Sequence, residues 1–208
     1  MSGATTYQKW LRAKPSTYSE RKSTLMKVTP LAILDVVLIT PQLFEDKRGF
    51  FIESFNQSNF NTAVGQKINF VQDNHSRSVK NVLRGLHYQI QRPQGKLIRV
   101  LSGVIFDVAV DIRKSSPSFM QSVCIELSGA DHQQLWIPPG FAHGFLVLSE
   151  TADVLYKVTD YYDANSERCI AWNDPELAIS WPEIVVPLLS AKDRAGSFLR
   201  GADIFPMR

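Results

Sequence analysis

Three of the four histidines lie in segments rich in other polar side chains, and imidazole is the side chain best suited to move protons near neutral pH. His75 lies in FVQDNHS, His87 in LRGLHYQ and His143 in IPPGFAHGF, whereas His132 lies in the polar turn GADHQQ, where we expect it to be solvated. A free imidazole has a pKa of about 6.5 and can accept a proton at physiological pH. A single histidine in a β-protein is more often a hydrogen-bonded structural group than a catalyst. The spacing alone therefore leaves both interpretations open.

The segment PPGFAH, which ends at His143, resembles the second motif of cupins, P-x-G-x-x-H. The first cupin motif usually supplies two histidines and a glutamate as metal ligands. At the corresponding place this chain has His87, Tyr88 and Gln89, with Gln94 at the position of the glutamate. Amides are poor ligands for a transition metal compared with imidazole and carboxylate. The sequence thus predicts a cupin scaffold that holds no metal and does its chemistry with side chains.

The elements that must position these residues have the pattern of short strands. In Gly103–Arg113 the apolar residues Val104, Phe106, Val108, Val110 and Ile112 alternate with a set that includes Asp107 and Asp111. A period of two places the two sets on opposite faces of a strand. Asp107 then lines a polar cavity or lies on a face open to solvent, and the pattern does not decide between these.

Further strands are predicted wherever short β-favouring runs are bounded by turn residues, which is typical of a sandwich or barrel. We expect an all-β, cupin-type jelly-roll sandwich with a few short peripheral helices. The predicted helical pieces are Gln57–Val64 and a short segment within Pro187–Phe198. The other predicted strands are Leu34–Ile39, Gly49–Glu53, Val82–Tyr88, Leu97–Leu101, Ser122–Leu127, Gln134–Ile137, Gly144–Leu148 and Thr151–Thr159.

The charge of the chain is unevenly distributed. The formal net charge is +3, but residues 1–25 hold five basic residues and one acid, so the remainder has 18 basic and 19 acidic residues. Because residues 26–208 are not basic overall, general nucleic-acid binding is disfavoured.

The longest apolar run, Leu31–Ile39, is too short to span a membrane. Cys124 and Cys169 lie far apart, and two cysteines without a disulfide pattern predict a reducing, cytoplasmic setting.

The composition also predicts the domain organisation. Residues 1–25 are basic and rich in serine and threonine, which is typical of a transit-like segment, a tag or a tail. We expect these residues to be an accessory extension. Residues 26–208 are expected to form a single jelly-roll domain of ordinary globular composition, since the chain is 44% hydrophobic and 21% charged.

Eight segments, in order from about Asp46 to Asp193, resemble the successive motifs of the dTDP-4-dehydrorhamnose 3,5-epimerase family. They are DKRGFFIESFNQ, FVQDNHSRS, KNVLRGLHYQ, QGKLIRVLSGVIFDVAVDIRKSSP, QLWIPPGFAHGF, LYKVTDYY, WNDPELAISWP and LSAKD. The resemblance implies a substrate in which a 4-keto-6-deoxyhexose is joined to dTDP. A proton next to the ketone is removed to give an enolate, and a proton is returned to the opposite face, at carbon 3 and at carbon 5. No cofactor is implied, because the ketone already acidifies both carbons.

The resemblance implies a role for each catalytic residue. His87 matches the base, and Asp193 matches the carboxylate that orients the imidazole and stabilises its charged form. Outside the resemblance, Asp193 would be interpreted as a helix N-cap or a surface acid. Lys96 matches the residue that faces the keto oxygen.

The acid on the opposite face of the sugar matches Tyr156. A phenol with an ordinary pKa of about 10 is protonated at neutral pH and can donate a proton. Tyr161 and Tyr162 lie close in sequence, and spacing does not exclude either of them as the acid.

The resemblance also implies the binding residues. Arg48 and Arg84 match residues that hold the diphosphate or the nearby sugar, a task suited to the planar guanidinium. In an ideal strand Arg84 and His87 would point to opposite faces, so a bulge at Gly85 is needed if both serve one pocket. The remaining binding positions are Glu53, Gln72, Asp73, Asn74, His143, Glu167 and Lys192.

Homodimers with exchanged N-terminal strands are a further implication of the resemblance, and the apolar Leu31–Ile39 segment is consistent with it. Three alternatives stay open at this point. One is a 3-epimerase or 3,4-ketoisomerase acting on a related nucleotide sugar. The others are a sugar-nucleotide-binding cupin without activity and a metal-dependent dioxygenase, which Gln89 and Gln94 disfavour.

Overall fold

The computed structural model describes residues 26–182 and 186–206, so the predicted extension at residues 1–25 lies outside the described residues. The strands are β1 (Met26–Pro30), β2 (Val37–Pro41), β3 (Leu43–Asp46), β4 (Gly49–Ile52), β5 (Gln72–Val79), β6 (Leu83–Gln89), β7 (Lys96–Ser102), β8 (Val104–Asp111), β9 (Ser122–Ser128), β10 (Gln134–Ile137), β11 (Phe141–Val147), β12 (Thr151–Val158) and β13 (Glu167–Cys169). The helices are α1 (Gln57–Val64), α2 (Ala191–Arg194) and a 3-10 turn at Leu199–Gly201.

Most of these strands form two sheets. The six-stranded sheet has the order β1-β2-β10-β7-β12-β5, the five-stranded sheet has the order β13-β6-β11-β8-β9, and β3 and β4 form a separate hairpin. Apolar side chains from the inner faces of both sheets, including Ile98 and Val154 from one and Ile105 and Phe145 from the other, form one buried cluster. Burial of such side chains is the main favourable contribution to folding. The predicted all-β jelly-roll sandwich is confirmed.

The outer face of the five-stranded sheet is covered by the C-terminal part of the chain. Val108 and Val110 of β8 and the following Ile112 pack there with Ile170, Leu177, Leu199 and Ile204. The other set of β8 residues, which includes Asp107, faces the inside of the sandwich, where Asp107 is 0% exposed. Of the two interpretations of this strand, the polar interior is therefore the one that the structure shows.

The outer face of the six-stranded sheet is covered by α1. Asn56 begins this helix by accepting hydrogen bonds from the backbone N–H groups of Ser58 and Asn59, and Gly65 ends it with a left-handed φ of 69°. Phe60 is its buried residue and packs edge-on against Trp136, with ring centroids 5.2 Å apart. The helix predicted at Gln57–Val64 is confirmed.

Some predicted boundaries are wrong. The strand predicted from Leu34 begins at Val37, because the residues before it form turns, and the segment Pro187–Phe198 is helical only at Ala191–Arg194. Four strands, β1, β3, β5 and β13, were not predicted from the sequence. Among the described residues, no helix is both long and apolar enough to cross a membrane.

Candidate active site

A β-bulge in β6 brings two of the predicted site residues to the same face. His87 pairs with His143 of β11, whereas Arg84 pairs with Phe145, so two residues of β6 lie opposite the single Gly144. Gly85 has a φ of +116°, and a Cβ atom there would lie 2.6 Å from the Cα of Gly144. Only glycine adopts this conformation readily. The bulge predicted at Gly85 is confirmed.

His87 forms a close pair with Asp193. The Nε2 atom of His87 lies 2.7 Å from Oδ1 of Asp193, across 106 positions of sequence. The imidazole is 25% exposed, whereas the carboxylate is 3% exposed. Because Nε2 faces the carboxylate, Nδ1 is the ring nitrogen available to a bound molecule.

Asp193 is held in place by both of its oxygens. The backbone N–H of Gly85 donates to Oδ1 at 3.1 Å, and the Ser190 hydroxyl donates to Oδ2 at 2.6 Å. Burial opposes ionisation of this carboxyl, but the hydrogen bonds from His87, Ser190 and Gly85 outweigh it and hold the pKa of Asp193 well below its usual range. The carboxylate therefore stays charged and orients His87.

The carboxylate is also part of a helix cap. Ser190 is the N-cap of α2, and it forms a capping box with Asp193 at the third helical position. Asp193 is therefore neither the N-cap of α2 nor a surface acid, because Ser190 is the N-cap and the Asp193 side chain is 3% exposed. It takes part in the capping box from the third helical position while it pairs with His87. Ser190 was missed by the sequence analysis, although the pattern S-x-x-D signals such a box.

Beside this pair, His143 contacts a second buried carboxylate. Its Nε2 atom lies 2.9 Å from Oδ2 and 3.1 Å from Oδ1 of Asp107. His143 is 8% exposed and Asp107 is 0% exposed. In metal-binding cupins the histidine of this motif is a metal ligand. Here the imidazole of His143 contacts the carboxyl group of Asp107 instead.

The two amides that stand at the other cupin ligand positions hold loops. The side chain of Gln89 donates to the carbonyl of Arg92 at 2.7 Å and accepts from the N–H of Asp163 at 2.8 Å. Gln94 donates to the carbonyl of Asp160 at 2.8 Å. Both side chains therefore have structural partners.

Lys96 lies on the opposite wall, at the start of β7. It is 6% exposed and shares the inner face of this strand with Ile98. Burial lowers the pKa of its ammonium group to about 8, even though the nearby charges of Glu167 and Asp107 favour the protonated form. A buried ammonium group of this kind suits the stabilisation of an oxyanion.

Tyr156 of β12 also lies on the inner face of the six-stranded sheet, where it packs against the central apolar cluster. Burial raises the pKa of its phenol, against the influence of Arg84 and Lys192. The two other tyrosines considered as the acid are much more exposed: Tyr161 is 55% exposed and Tyr162 is 56% exposed. The hydroxyl of Tyr162 donates to Glu167 at 2.9 Å.

Further polar residues line the space between the two sheets. Lys192 donates to Glu167 at 2.7 Å, and this bond, with that from Tyr162, holds the pKa of Glu167 below its usual value despite burial. Asn74 pairs with Tyr156 across the β5–β12 ladder and therefore shares its face. Gln72 donates to Asn74 at 2.8 Å.

Three predicted binding residues lie outside this interior. Arg48 sits in the β3–β4 turn, 84% exposed and paired with Asp46. Glu53 accepts from Asn59 at 2.8 Å and lines a cleft on the outer face of the six-stranded sheet. Asp73 pairs with Lys157 on that same outer face.

Cys169 was not predicted to take part, yet it lies directly beside the pair. It is opposite His87 in the β13–β6 ladder, and its Sγ atom lies within 4.8 Å of ligand atoms of both His87 and Asp193. Burial raises the pKa of its thiol to about 12.

The chain is similar to known proteins along most of its length. A model of the dTDP-4-dehydrorhamnose 3,5-epimerase family matches residues 30–201. The dTDP-4-dehydrorhamnose 3,5-epimerase of Pseudomonas aeruginosa is 59% identical over 181 residues, a match that covers 87% of this chain and 100% of the relative.

Solved structures agree with this result. A dTDP-6-deoxy-D-glucose-3,5-epimerase of Legionella pneumophila, in complex with dTDP-4-keto-L-rhamnose, is 50% identical with a TM-score of 0.85, covering 88% of this chain and 98% of that one. A 3'-monoepimerase of Streptomyces bikiniensis, in complex with dTDP-quinovose, is 30% identical with a TM-score of 0.78, covering 82% and 87%. The chain therefore belongs to the dTDP-4-dehydrorhamnose 3,5-epimerase family.

Proposed function

We propose that this protein converts dTDP-4-keto-6-deoxy-D-glucose to dTDP-4-keto-L-rhamnose by inverting carbons 3 and 5. The observation that carries the proposal is the placement of the His87–Asp193 pair and Tyr156 on opposite walls of one interior. Epimerisation needs a base on one face of the sugar ring and an acid on the other. The similarity to 3,5-epimerases along most of the chain supports the same reaction.

His87 removes the proton next to the ketone through Nδ1. Asp193 holds the ring from its other side and stabilises the imidazolium that forms, as carboxylates do in other His–Asp pairs. General base catalysis of this type contributes roughly 10²–10⁴-fold to the rate. The intermediate is an enolate, whose negative oxygen is the former ketone.

Lys96 and Tyr156 act on this enolate from the other wall. A buried donor at the developing oxyanion can supply about 3 kcal/mol of transition-state stabilisation. We assign that role to Lys96, and its burial supports the assignment. Tyr156 returns a proton to the face opposite His87. Its raised pKa keeps the phenol protonated at neutral pH.

Substrate binding is assigned to the polar residues around this interior. Arg84 lies beside His87 because of the bulge, and its guanidinium suits the diphosphate. Lys192 and Glu167 form an ion pair beside it that can bind the sugar or the phosphates. Gln72, Asn74 and His143 offer further hydrogen bonds to the sugar.

The reaction is tested by incubating the protein with dTDP-4-keto-6-deoxyglucose in deuterated water and following the sugar protons by NMR. We expect deuterium at both carbon 3 and carbon 5, and no exchange with His87→Ala. Tyr156→Phe should retain exchange while losing inverted product, whereas the matched Tyr162→Phe should keep both. Exchange at neither carbon in the wild-type protein would refute the proposal.

A 3-epimerase is the second candidate, favoured by the similarity to the 3'-monoepimerase. Both functions use the same scaffold, so composition and fold do not separate them. Deuterium at carbon 3 alone, with carbon 5 unchanged, would assign this function in the same experiment.

We further propose that the protein is a homodimer with exchanged N-terminal strands, in which the β3–β4 hairpin contacts the second copy. Within the chain, β2 pairs with β1 and β10, so the Leu31–Ile39 segment has partners in its own sheet. The hairpin, in contrast, leaves Leu43, Phe44, Phe50 and Phe51 44–68% exposed. Exposed apolar side chains in such number favour a protein interface. Arg48, at the hairpin turn, would then reach the partner's site.

Mixing two inactive variants tests this arrangement. In a symmetric dimer, Arg48→Ala and His87→Ala chains exchanged by dissociation and reassociation should recover about a quarter of the wild-type activity, since hybrid dimers hold one intact site. Mixtures of Arg84→Ala with His87→Ala chains are the control and should recover none. A monomer in sedimentation, or no recovery in the first mixture, would contradict the proposal.

The cellular setting and domain limits are also proposals. The separate cysteines, Cys124 on β9 and Cys169 on β13, support a reducing compartment such as the cytoplasm. A protein beginning at Met26 is expected to retain the full kcat, because the family match begins at residue 30. A loss of kcat on removing residues 1–25 would show that they contribute to activity.

A further inference from the structure

Three side chains that could bind a metal ion such as zinc lie close together beside His87. One ligand atom each from His87, Cys169 and Asp193 lies within 4.8 Å of the others. Imidazole, thiolate and carboxylate are all zinc ligands, and three protein ligands with a water form a common zinc arrangement. Of the residues at the cupin ligand positions, His87 belongs to this cluster, whereas Gln89, Gln94 and His143 do not.

The fold places these three groups independently of one another. Cys169 lies opposite His87 in the ladder between β13 and β6, so the two side chains project from neighbouring positions on one face. Asp193 arrives from α2 and is fixed by Ser190 and Gly85. Ligand atoms around a tetrahedral zinc are about 3.3–3.8 Å apart. Zinc binding therefore requires the 2.7 Å separation between Nε2 of His87 and Oδ1 of Asp193 to widen, whereas Sγ of Cys169 already lies within 4.8 Å of a ligand atom of each residue.

We propose that this cluster is an inhibitory zinc site, in which Zn²⁺ takes the place of the proton between His87 and Asp193 and is also bound by Cys169. The thiol of Cys169 releases its proton to solvent on binding, as a coordinating thiol does. The imidazole proton moves from Nε2 to Nδ1. The nitrogen that faces the substrate then carries a hydrogen and cannot accept another.

The position of the ion determines the type of inhibition. Zinc binds on the Asp193 side of the imidazole, whereas the substrate occupies the Nδ1 side. Zinc should therefore lower kcat and leave KM little changed. Because the thiol proton must leave, inhibition should strengthen as the pH rises.

The test uses the full chain, ZnCl₂ as the probe and MgCl₂ as the hard-ion control. We expect the wild type to bind one equivalent of zinc in equilibrium dialysis, to lose kcat, and to recover with a chelator. Mg²⁺ should have no effect. Cys169→Ala should need roughly 10–100-fold more zinc for the same inhibition while retaining its activity without zinc. Cys169→Ser serves the same purpose if the alanine variant folds poorly.

Cys124→Ala is the matched control, because this cysteine lies on β9, away from the cluster, and should leave zinc inhibition unchanged. Equal inhibition of wild type and Cys169→Ala, no inhibition of the wild type, or a large rise in KM alone would overturn the proposal. Zinc binding by His87→Ala should be weakened in dialysis. That measurement tests the site even if the proposed epimerase reaction fails.

Discussion

Arg84 and His87 are three residues apart on β6, yet both side chains lie on the inner face, because Gly85 and Leu86 together oppose the single Gly144 of β11. A regular strand would turn one of them to the other face. The bulge therefore places the residue suited to a diphosphate beside the residue suited to proton removal. The same bulge directs the backbone N–H of Gly85 at Asp193.

Gly85→Ala is expected to lower the stability of the fold and to abolish activity. The new Cβ would meet the Gly144 Cα and the His143 carbonyl oxygen, each at 2.6 Å, at a φ that side chains rarely adopt. The conformational cost is about 1–3 kcal/mol before the clash is counted. Urea unfolding measures it. Gly201→Ala is the control, because a Cβ there has nothing within 4 Å, and its unfolding midpoint should hardly change.

Ser190→Ala is expected to lower kcat through Asp193. Loss of the 2.6 Å hydrogen bond removes one of the groups that keep the pKa of Asp193 low, and it frees the carboxylate to move. Loss of the cap should also cost about 0.5–2 kcal/mol of stability. Ser190→Thr keeps the hydroxyl and should restore kcat. An unchanged kcat and pH profile in Ser190→Ala would show that Ser190 only caps α2.

Lys96→Met is expected to stabilise the fold while reducing kcat. The folded-state pKa of about 8 lies below the usual 10.5, so the unfolded chain binds this proton more tightly and wild-type stability rises with pH between these values. Below pH 8 the buried charge costs up to about 3 kcal/mol, which methionine avoids. Denaturant midpoints measured from pH 7 to pH 10 should show that the stability advantage of Lys96→Met over the wild type shrinks as the pH rises. Lys27→Met is the control, because Lys27 is exposed, and its unfolding midpoint should stay close to that of the wild type across this pH range.

If Lys96 acts as a cation, the wild-type kcat should also fall as the pH rises through about 8. This change reflects loss of the ammonium charge beside the enolate oxygen. A kcat that stays constant from pH 7 to pH 10 would contradict the role assigned to Lys96.

His143→Ala is expected to destabilise the protein strongly. It would leave the carboxylate of Asp107, which is 0% exposed, without its partner at 2.9 Å. Breaking a buried pair in this way costs about 3–5 kcal/mol. Adding Asp107→Asn should recover part of the loss, because a buried amide without a partner costs less free energy than a buried carboxylate. His75→Ala, at a histidine whose side chain is 53% exposed, should have a much smaller effect in the same thermal unfolding assay.

The strands of the core were predictable because their alternation reflects burial. The strand predicted in Gly103–Arg113 is β8. The sequence of β5, QDNHSRSV, is polar on both faces, since one face lines the site and the other forms ion pairs such as Arg77–Asp153. A strand without an apolar face has no periodic signal to detect.

The site was predictable only in part from the residues themselves. His87 and Asp193 are far apart in sequence, so their pairing followed from the family resemblance and not from any local pattern. The need for a bulge at Gly85 did follow from strand geometry. Cys169 gave no signal, because its closeness to His87 depends on the pairing of β13 with β6. The outward position of Arg48 likewise depends on the hairpin.

The C-terminal segment that covers the outer face of the five-stranded sheet also delivers Asp193 to His87. Every strand of both sheets precedes this segment in the chain. During synthesis, every strand of the two sheets therefore leaves the ribosome before the carboxylate that pairs with His87. If Asp193 has the role proposed for it, activity is acquired only after the C-terminal segment has packed onto the finished sheets.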